Sequence, residues 1–107
     1  MHSLFVYGTL GPGRPNAHIM ENIGGSWQQG YVLGNLREAG WGAAMGFPGI
    51  ELTADGAQVN GFVFSSDNLS AHWSMLDEFE GEGYQRIPVE VVLQDGSTLM
   101  SEIYALK

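Results

Sequence analysis

The sequence predicts an α+β domain: a small, mainly antiparallel β-sheet, closed or nearly closed into a barrel, with one or two short flanking helices. Three observations predict it. Ile87, Val89, Val91 and Leu93 alternate along one run, an Asp95-Gly96 turn follows, and Thr98–Leu106 then reads as the returning strand of a hairpin. Leu69, Trp73, Leu76 and Phe79 recur at three- and four-residue spacing, the stripe of an amphipathic helix. Glycine supplies 16 of the 107 residues without a period, which fits a loop-rich globule and neither a fibre nor a linker.

The elements follow in order. Ser3–Tyr7 is a short run of β-formers. Asn16 fits the N-cap of a short helix running to about Ile23. Gly30 to Gly40 reads as a strand broken at Gly34. The next stretch, "WGAAMGFPGIEL", reads as irregular, with Phe47-Pro48-Gly49 a turn signal. Gln58–Ser65 is the best central strand. Asn68–Phe79 is the clearest helix, with Asp67 placed to cap its start and Gly81 its end. Arg86–Gln94 and Thr98–Leu106 form the hairpin, joined by a two-residue turn. With no repeat, low-complexity tract or linker in view, residues 1–107 are expected to form one domain.

Composition excludes several function classes. Four Lys and Arg against twelve Asp and Glu give a net charge of −8, which repels phosphate backbones and anionic lipid. No nucleic-acid or membrane partner is expected. No stretch reaches the ~18 apolar residues of a membrane span, and no signal peptide is visible, so a cytoplasmic location is expected. Without cysteine there is neither a disulfide nor a thiol nucleophile. His2, His18 and His72 lie far apart and make no metal-ligand spacing. No G-x-S-x-G elbow is present. Trp27, Trp41 and Trp73 read as core or pocket wall.

Two stretches carry possible chemistry. The first, "FVYGTLGPGRPN", runs from a strand straight into a glycine loop. Its G-x-x-G-x-G is neither the dinucleotide fingerprint nor a P-loop. Glycine permits close approach of backbone to a ligand, and unpaired N–H groups there could hold an anion or a developing oxyanion. A plain tight turn is the simpler reading from spacing alone. The second is "LDEFEGEGYQR", with Asp77, Glu78, Glu80 and Glu82 in six positions. On a helix, Leu76 and Phe79 face the core, while Asp77 and Glu78 face water. Glu80 sits at the edge of the apolar face and at the helix end, where desolvation and the negative end of the helix dipole would both raise its pKa. A solvated acidic helix end is the bland alternative.

Taken together, "VYGTLGPGRPN" and "LDEFEGEGYQR" resemble the gamma-glutamylcyclotransferase-like family, whose pattern is a Y-G-[ST]-L loop with G-x-x-N, then L-D-x-F-E-G with Y-x-R. The "GFPGI", "VNGFVF" and "EIYAL" stretches also sit where the family has counterparts, so the resemblance covers nearly the whole chain. It looks nearest the small bacterial members and the gamma-glutamylamine cyclotransferases. The resemblance implies a small antiparallel barrel. It implies an intramolecular reaction in which the α-amine of a γ-glutamyl group attacks its own γ-carbonyl, releasing 5-oxoproline and an amine. It places the catalytic acid/base on Glu80 and the substrate-binding groups on Tyr7, Gly8, Thr9, Leu10, Tyr84, Arg86 and Tyr104. Two departures stand out: Phe47 replaces a tyrosine common in the family, and Glu82 lies two residues from Glu80. No metal or cofactor is expected. The alternative is a non-catalytic module binding a small carboxylate on the same fold. For an enzyme, the acidic surface favours γ-glutamyl amines over glutathione, whose further carboxylate it would repel.

Overall fold

The computed structural model describes residues 2–8, 11–14, 17–38 and 48–106. In chain order the elements are β1 (His2–Val6), α1 (Ala17–Ile23), β2 (Ser26–Glu38), β3 (Pro48–Leu52), β4 (Ala57–Ser66), α2 (Trp73–Glu80), β5 (Tyr84–Leu93) and β6 (Thr98–Leu106). A 3₁₀ turn at Leu69–Ala71 precedes α2.

The strands lie in the order β3-β2-β4-β1-β6-β5, and β2 pairs again with β5. That last pairing closes β2, β4, β1, β6 and β5 into a barrel of five strands, with β3 as a sixth strand beside β2. Every pairing is antiparallel except β1 with β6, so the barrel is mixed. The expected fold class holds. Closure depends on Gly30, which sits opposite Leu93. A Cβ there would come within 2.8 Å of both the Val91 side chain and the Val92 carbonyl oxygen. Only a residue without a side chain lets β5 approach so closely.

The pleat of β1 divides the interior in two. Leu4 and Val6 pack with Met20, Ile23, Leu69 and Leu76 beneath the helices. Phe5 points the other way and meets Val32, Ile50, Val63, Val91 and Ile103 inside the barrel. Successive side chains on a strand face opposite sides, so one strand feeds both cores.

Four local expectations change. Pro48 to Leu52 is a strand, not the end of an irregular stretch. It pairs with β2 only, at the edge of the sheet, where proline's missing donor is tolerated. β2 passes through Gly34 without a break. The helix begins at Trp73 rather than Asn68, and no Asp67 side chain caps it. The chain before it is tied down instead by Ser66, whose hydroxyl accepts the Asn68 N–H at 3.0 Å, and by Asn68, whose amide donates to the Ile23 carbonyl at 2.9 Å. Finally, the hairpin loop holds three residues, Gln94 to Gly96. Leu93 N–H closes it on the Ser97 carbonyl at 2.8 Å, and Gly96 takes the left-handed position with φ of 87°. The expected helix stop is observed: Gly81 has φ of 87° and donates its N–H to the Asp77 carbonyl. Thr9, Leu10, Asn16, Trp41 and Phe47 lie outside the described residues.

Gly30→Ala is expected to lower the thermal midpoint by at least about 4 °C, the shift for ~1 kcal/mol in a domain of this size. Gly8→Ala should leave it unchanged, because among the described residues beyond its chain neighbours no atom lies within 4 Å of a Cβ built at Gly8. Melting followed by circular dichroism compares the two. Equal midpoints would show that the closure has slack.

Candidate active site

Glu80 is the last residue of α2. Leu76, one turn earlier, is 0% exposed and anchors the helix to the core. Phe79 packs partly buried against the same cluster. Residues four apart lie on one helix face, so the Leu76 anchor carries Glu80 inward. Its side chain is half-buried, and no hydrogen bond or ion pair joins it to another described residue. Burial pushes its carboxyl up to about 7. Glu82, beyond the Gly81 stop, is exposed.

Three tyrosines lie within reach of the charge on this carboxylate. Tyr7 follows directly on β1, Tyr84 begins β5 and Tyr104 lies in β6. Burial raises all three phenol pKa values, and the charge on Glu80 raises each further. All three therefore remain neutral hydroxyls around neutral pH. Tyr7 is fixed on both sides: its hydroxyl donates to the Tyr104 carbonyl at 2.7 Å and accepts the Ile50 N–H at 3.1 Å. β1, β3 and β6 are thus stitched together at one phenol.

Tyr104 also reaches the helix. Its hydroxyl donates to Asp77 Oδ1 at 2.6 Å. Arg86 forks onto the same carboxylate, Nε to Oδ1 at 3.0 Å and Nη2 to Oδ2 at 3.4 Å. The guanidinium lies over the Trp73 ring, 4.3 Å from its centroid. Burial alone would raise the Asp77 carboxyl, but hydrogen bonds from Arg86 and Tyr104 and the charge of Arg86 hold it below the usual carboxylate range. The ion pair is partly solvated, with the two side chains 29% and 46% exposed, so it contributes only about 0–1 kcal/mol to stability. The site residues expected from sequence thus fall into two groups. Glu80, Tyr7, Tyr84 and Tyr104 come together, whereas the guanidinium of Arg86 is engaged with Asp77 and Trp73. Asp77 faces water as expected, its side chain 46% exposed; what sequence reasoning missed is that its carboxylate takes both the Tyr104 hydroxyl and the Arg86 guanidinium.

The glycine loop leaves β1 by successive turns. Gly11 N–H meets the Gly8 carbonyl at 3.2 Å, Arg14 N–H the Gly11 carbonyl at 3.1 Å, and Ala17 N–H the Arg14 carbonyl at 3.0 Å. Gly8 needs no left-handed conformation and faces open space. Thr9 and Leu10, expected to supply further donors, lie outside the described residues. Two grooves lie elsewhere. One of about 500 Å³ is lined by Arg14, Gln29, Tyr31, Asn60, Phe62 and Gln94 among others. The other, of about 320 Å³, lies between β2, the end of β3 and β5. Among the described residues no group of three or more His, Cys, Asp or Glu could hold a metal. None of their helices is long and apolar enough to cross a membrane.

A half-ionised carboxyl beside neutral hydroxyl donors can move a proton in either direction at neutral pH. Known proteins share the fold. Among solved structures, an AIG2-like protein from Mus musculus is 26% identical with a TM-score of 0.73; the match covers 98% of this chain and 76% of that one. YkqA from Bacillus subtilis is 28% identical with a TM-score of 0.74, covering 99% of this chain but 36% of its own. A structure called gamma-glutamyl cyclotransferase is 19% identical with a TM-score of 0.67, covering 99% of this chain and 66% of its own, and shares the fold. No curated protein matches the chain. The sequence profile described as gamma-glutamyl cyclotransferase, AIG2-like, matches residues 4–107. The chain belongs to this gamma-glutamyl cyclotransferase, AIG2-like family.

Proposed function

We propose that the protein is a γ-glutamyl cyclotransferase, with Glu80 as its single acid/base. The observation that carries this reading is the half-buried carboxyl of Glu80, unpaired among the described residues and poised at about 7, in a chain of this family. A γ-glutamyl compound holds nucleophile and electrophile in one molecule, so closing the five-membered ring demands mainly that the substrate be folded and its protons managed. In water the α-amine is largely protonated at pH 7 and cannot attack in that form. Glu80 takes a proton from the attacking amine. The nitrogen adds to the γ-carbonyl carbon, whose oxygen gains negative charge. Backbone N–H groups of the loop spanning Tyr7, Gly8, Thr9 and Leu10 are assigned to that oxygen or to the α-carboxylate. Glu80 then gives that proton to the departing nitrogen as the carbon–nitrogen bond breaks, and the second proton that the ring nitrogen sheds passes to the released amine, which leaves as an ammonium ion. The products are 5-oxoproline and a free amine. The role of Tyr84 is to line the site beside Glu80. γ-Glutamyl amines are the favoured substrates, for the electrostatic reason given above.

A carboxyl poised in this way costs stability. Below the ordinary value of 4.5 it is protonated in the folded and unfolded chain alike. As pH rises towards about 7, the unfolded chain ionises first, so folding loses free energy through that window and stays weaker above it. At 1.36 kcal/mol per pH unit the loss is roughly 3 kcal/mol.

Two outcomes are expected. Incubated with a panel of γ-glutamyl compounds, the protein should release 5-oxoproline, detected by mass spectrometry. Glu80→Gln should lower kcat by about 10²–10⁴, while Glu82→Gln changes it less than roughly threefold. A dead Glu82→Gln variant would move the site into the following loop. No 5-oxoproline from any compound, with a small carboxylate still bound, would point to a binding module. Secondly, Glu80→Gln should melt at a higher temperature than the parent at pH 8, and the gap should close at pH 4. A gap that persists unchanged at pH 4 would contradict the burial of an ionised carboxylate.

A further inference from the structure

We infer that Tyr104 and Asp77 are positioning residues, a two-ended clasp that holds Glu80 in register with the loop after β1. The inference rests on the acid/base role proposed for Glu80 and goes beyond it. Tyr104 is bonded at both ends. Its hydroxyl donates to Asp77 on α2, at 2.6 Å. Its main-chain carbonyl accepts the Tyr7 hydroxyl, at 2.7 Å, at the start of the glycine loop. One residue of β6 therefore fixes the helix that carries the acid/base and the strand exit that carries the proposed oxyanion donors. Asp77 lies three residues before Glu80 on the same helix, and Arg86 grips it from the other side while covering Trp73, the first residue of α2.

The fold has reason to need such a device. α2 has only eight residues, and Leu76 is its one fully buried anchor. Glu80, at the very end, has no described bond of its own to hold it. The last turn of a helix frays readily. An ion pair as solvated as Asp77–Arg86 adds little to global stability, so what it provides is direction. The titratable groups facing Glu80 are Tyr7 from the β1 exit, Tyr84 from β5 and Tyr104 from β6. The Tyr104 hydroxyl is given to Asp77 and not to Glu80, so Tyr104 acts on Glu80 through Asp77 and the helix. Misplacement of a reacting group by about 1 Å can cost a hundredfold in rate.

The test uses the full chain and Tyr104→Phe, which keeps the ring and the main-chain carbonyl but removes the donor to Asp77. Glu80 is titrated by carbon-13 NMR of its side-chain carboxyl. In the variant the midpoint is expected to fall by about one unit or more towards the ordinary glutamate value, because a loosened helix end admits water. Asp77→Asn, which keeps an acceptor for the Tyr104 hydroxyl, should stay closer to the parent than Asp77→Ala does. With an active substrate, Tyr104→Phe should lower kcat about tenfold or more with KM changed less than about threefold. The Tyr104→Phe/Asp77→Ala double variant should lose no more than the worse single, as members of one unit do. A Tyr104→Phe protein with a native melting curve and an unmoved Glu80 midpoint overturns the proposal. So does a tenfold rise in KM at unchanged kcat, which would put Tyr104 against the substrate, and so do additive losses. If no substrate is turned over at all, the reaction proposed above fails while the NMR midpoints still decide the clasp.

Discussion

One half-buried carboxyl group, with no partner among the described residues, is the constraint on which the candidate site depends. A carboxylate in that position ordinarily finds a cation or is replaced. Here three of the four cations of the chain are described, and none reaches Glu80: Arg37 pairs with Glu51, Arg86 with Asp77, and Arg14 lines a separate groove. Domains of this size are stable by only about 5–15 kcal/mol, so a penalty of a few kcal/mol is a large share. It is offset by apolar packing on both sides, with Leu76 beneath the helices and the filled barrel below.

The barrel places the parts through one strand. β1 lies between β4 and β6 and sends Leu4 and Val6 to the helices and Phe5 into the barrel. Tyr7 comes next and marks where the glycine loop departs. Its hydroxyl binds β6 and β3 together, and β6 in turn binds α2 through Tyr104. A shift at any one of these elements would be felt at Glu80. The proposed site therefore lies where short elements meet, and its rigidity comes from the barrel rather than from the eight-residue helix.

Much of this was legible in the sequence, for identifiable reasons. The alternation from Ile87 to Leu93 and the stripe from Leu69 to Phe79 report burial directly, and burial is what periodicity measures. Glu80 was legible because its phase follows from Leu76 and its end position from Gly81. Three things were hidden. β3 was hidden because Pro48 and Gly49 carry turn propensity, and only pairing with β2 makes them a strand. The break before α2 was hidden because the stripe continues through the 3₁₀ turn, whose side chains repeat at nearly the same spacing. The bonds of Asp77 were hidden because its partners, Arg86 and Tyr104, come from two strands later in the chain. A helical wheel shows which face a residue is on, and not what waits there.

The central claim is that a desolvated Glu80 moves the proton in ring closure. The pH dependence of kcat/KM for 5-oxoproline release tests it most directly, since that profile reports the ionisation of the free enzyme. With a substrate of known α-amine pKa, a rising limb centred near pH 7 that is absent from the residual activity of Glu80→Gln is the expected result. A limb near pH 4.5, the value of a solvated glutamate, or one that survives unchanged in Glu80→Gln, would contradict it.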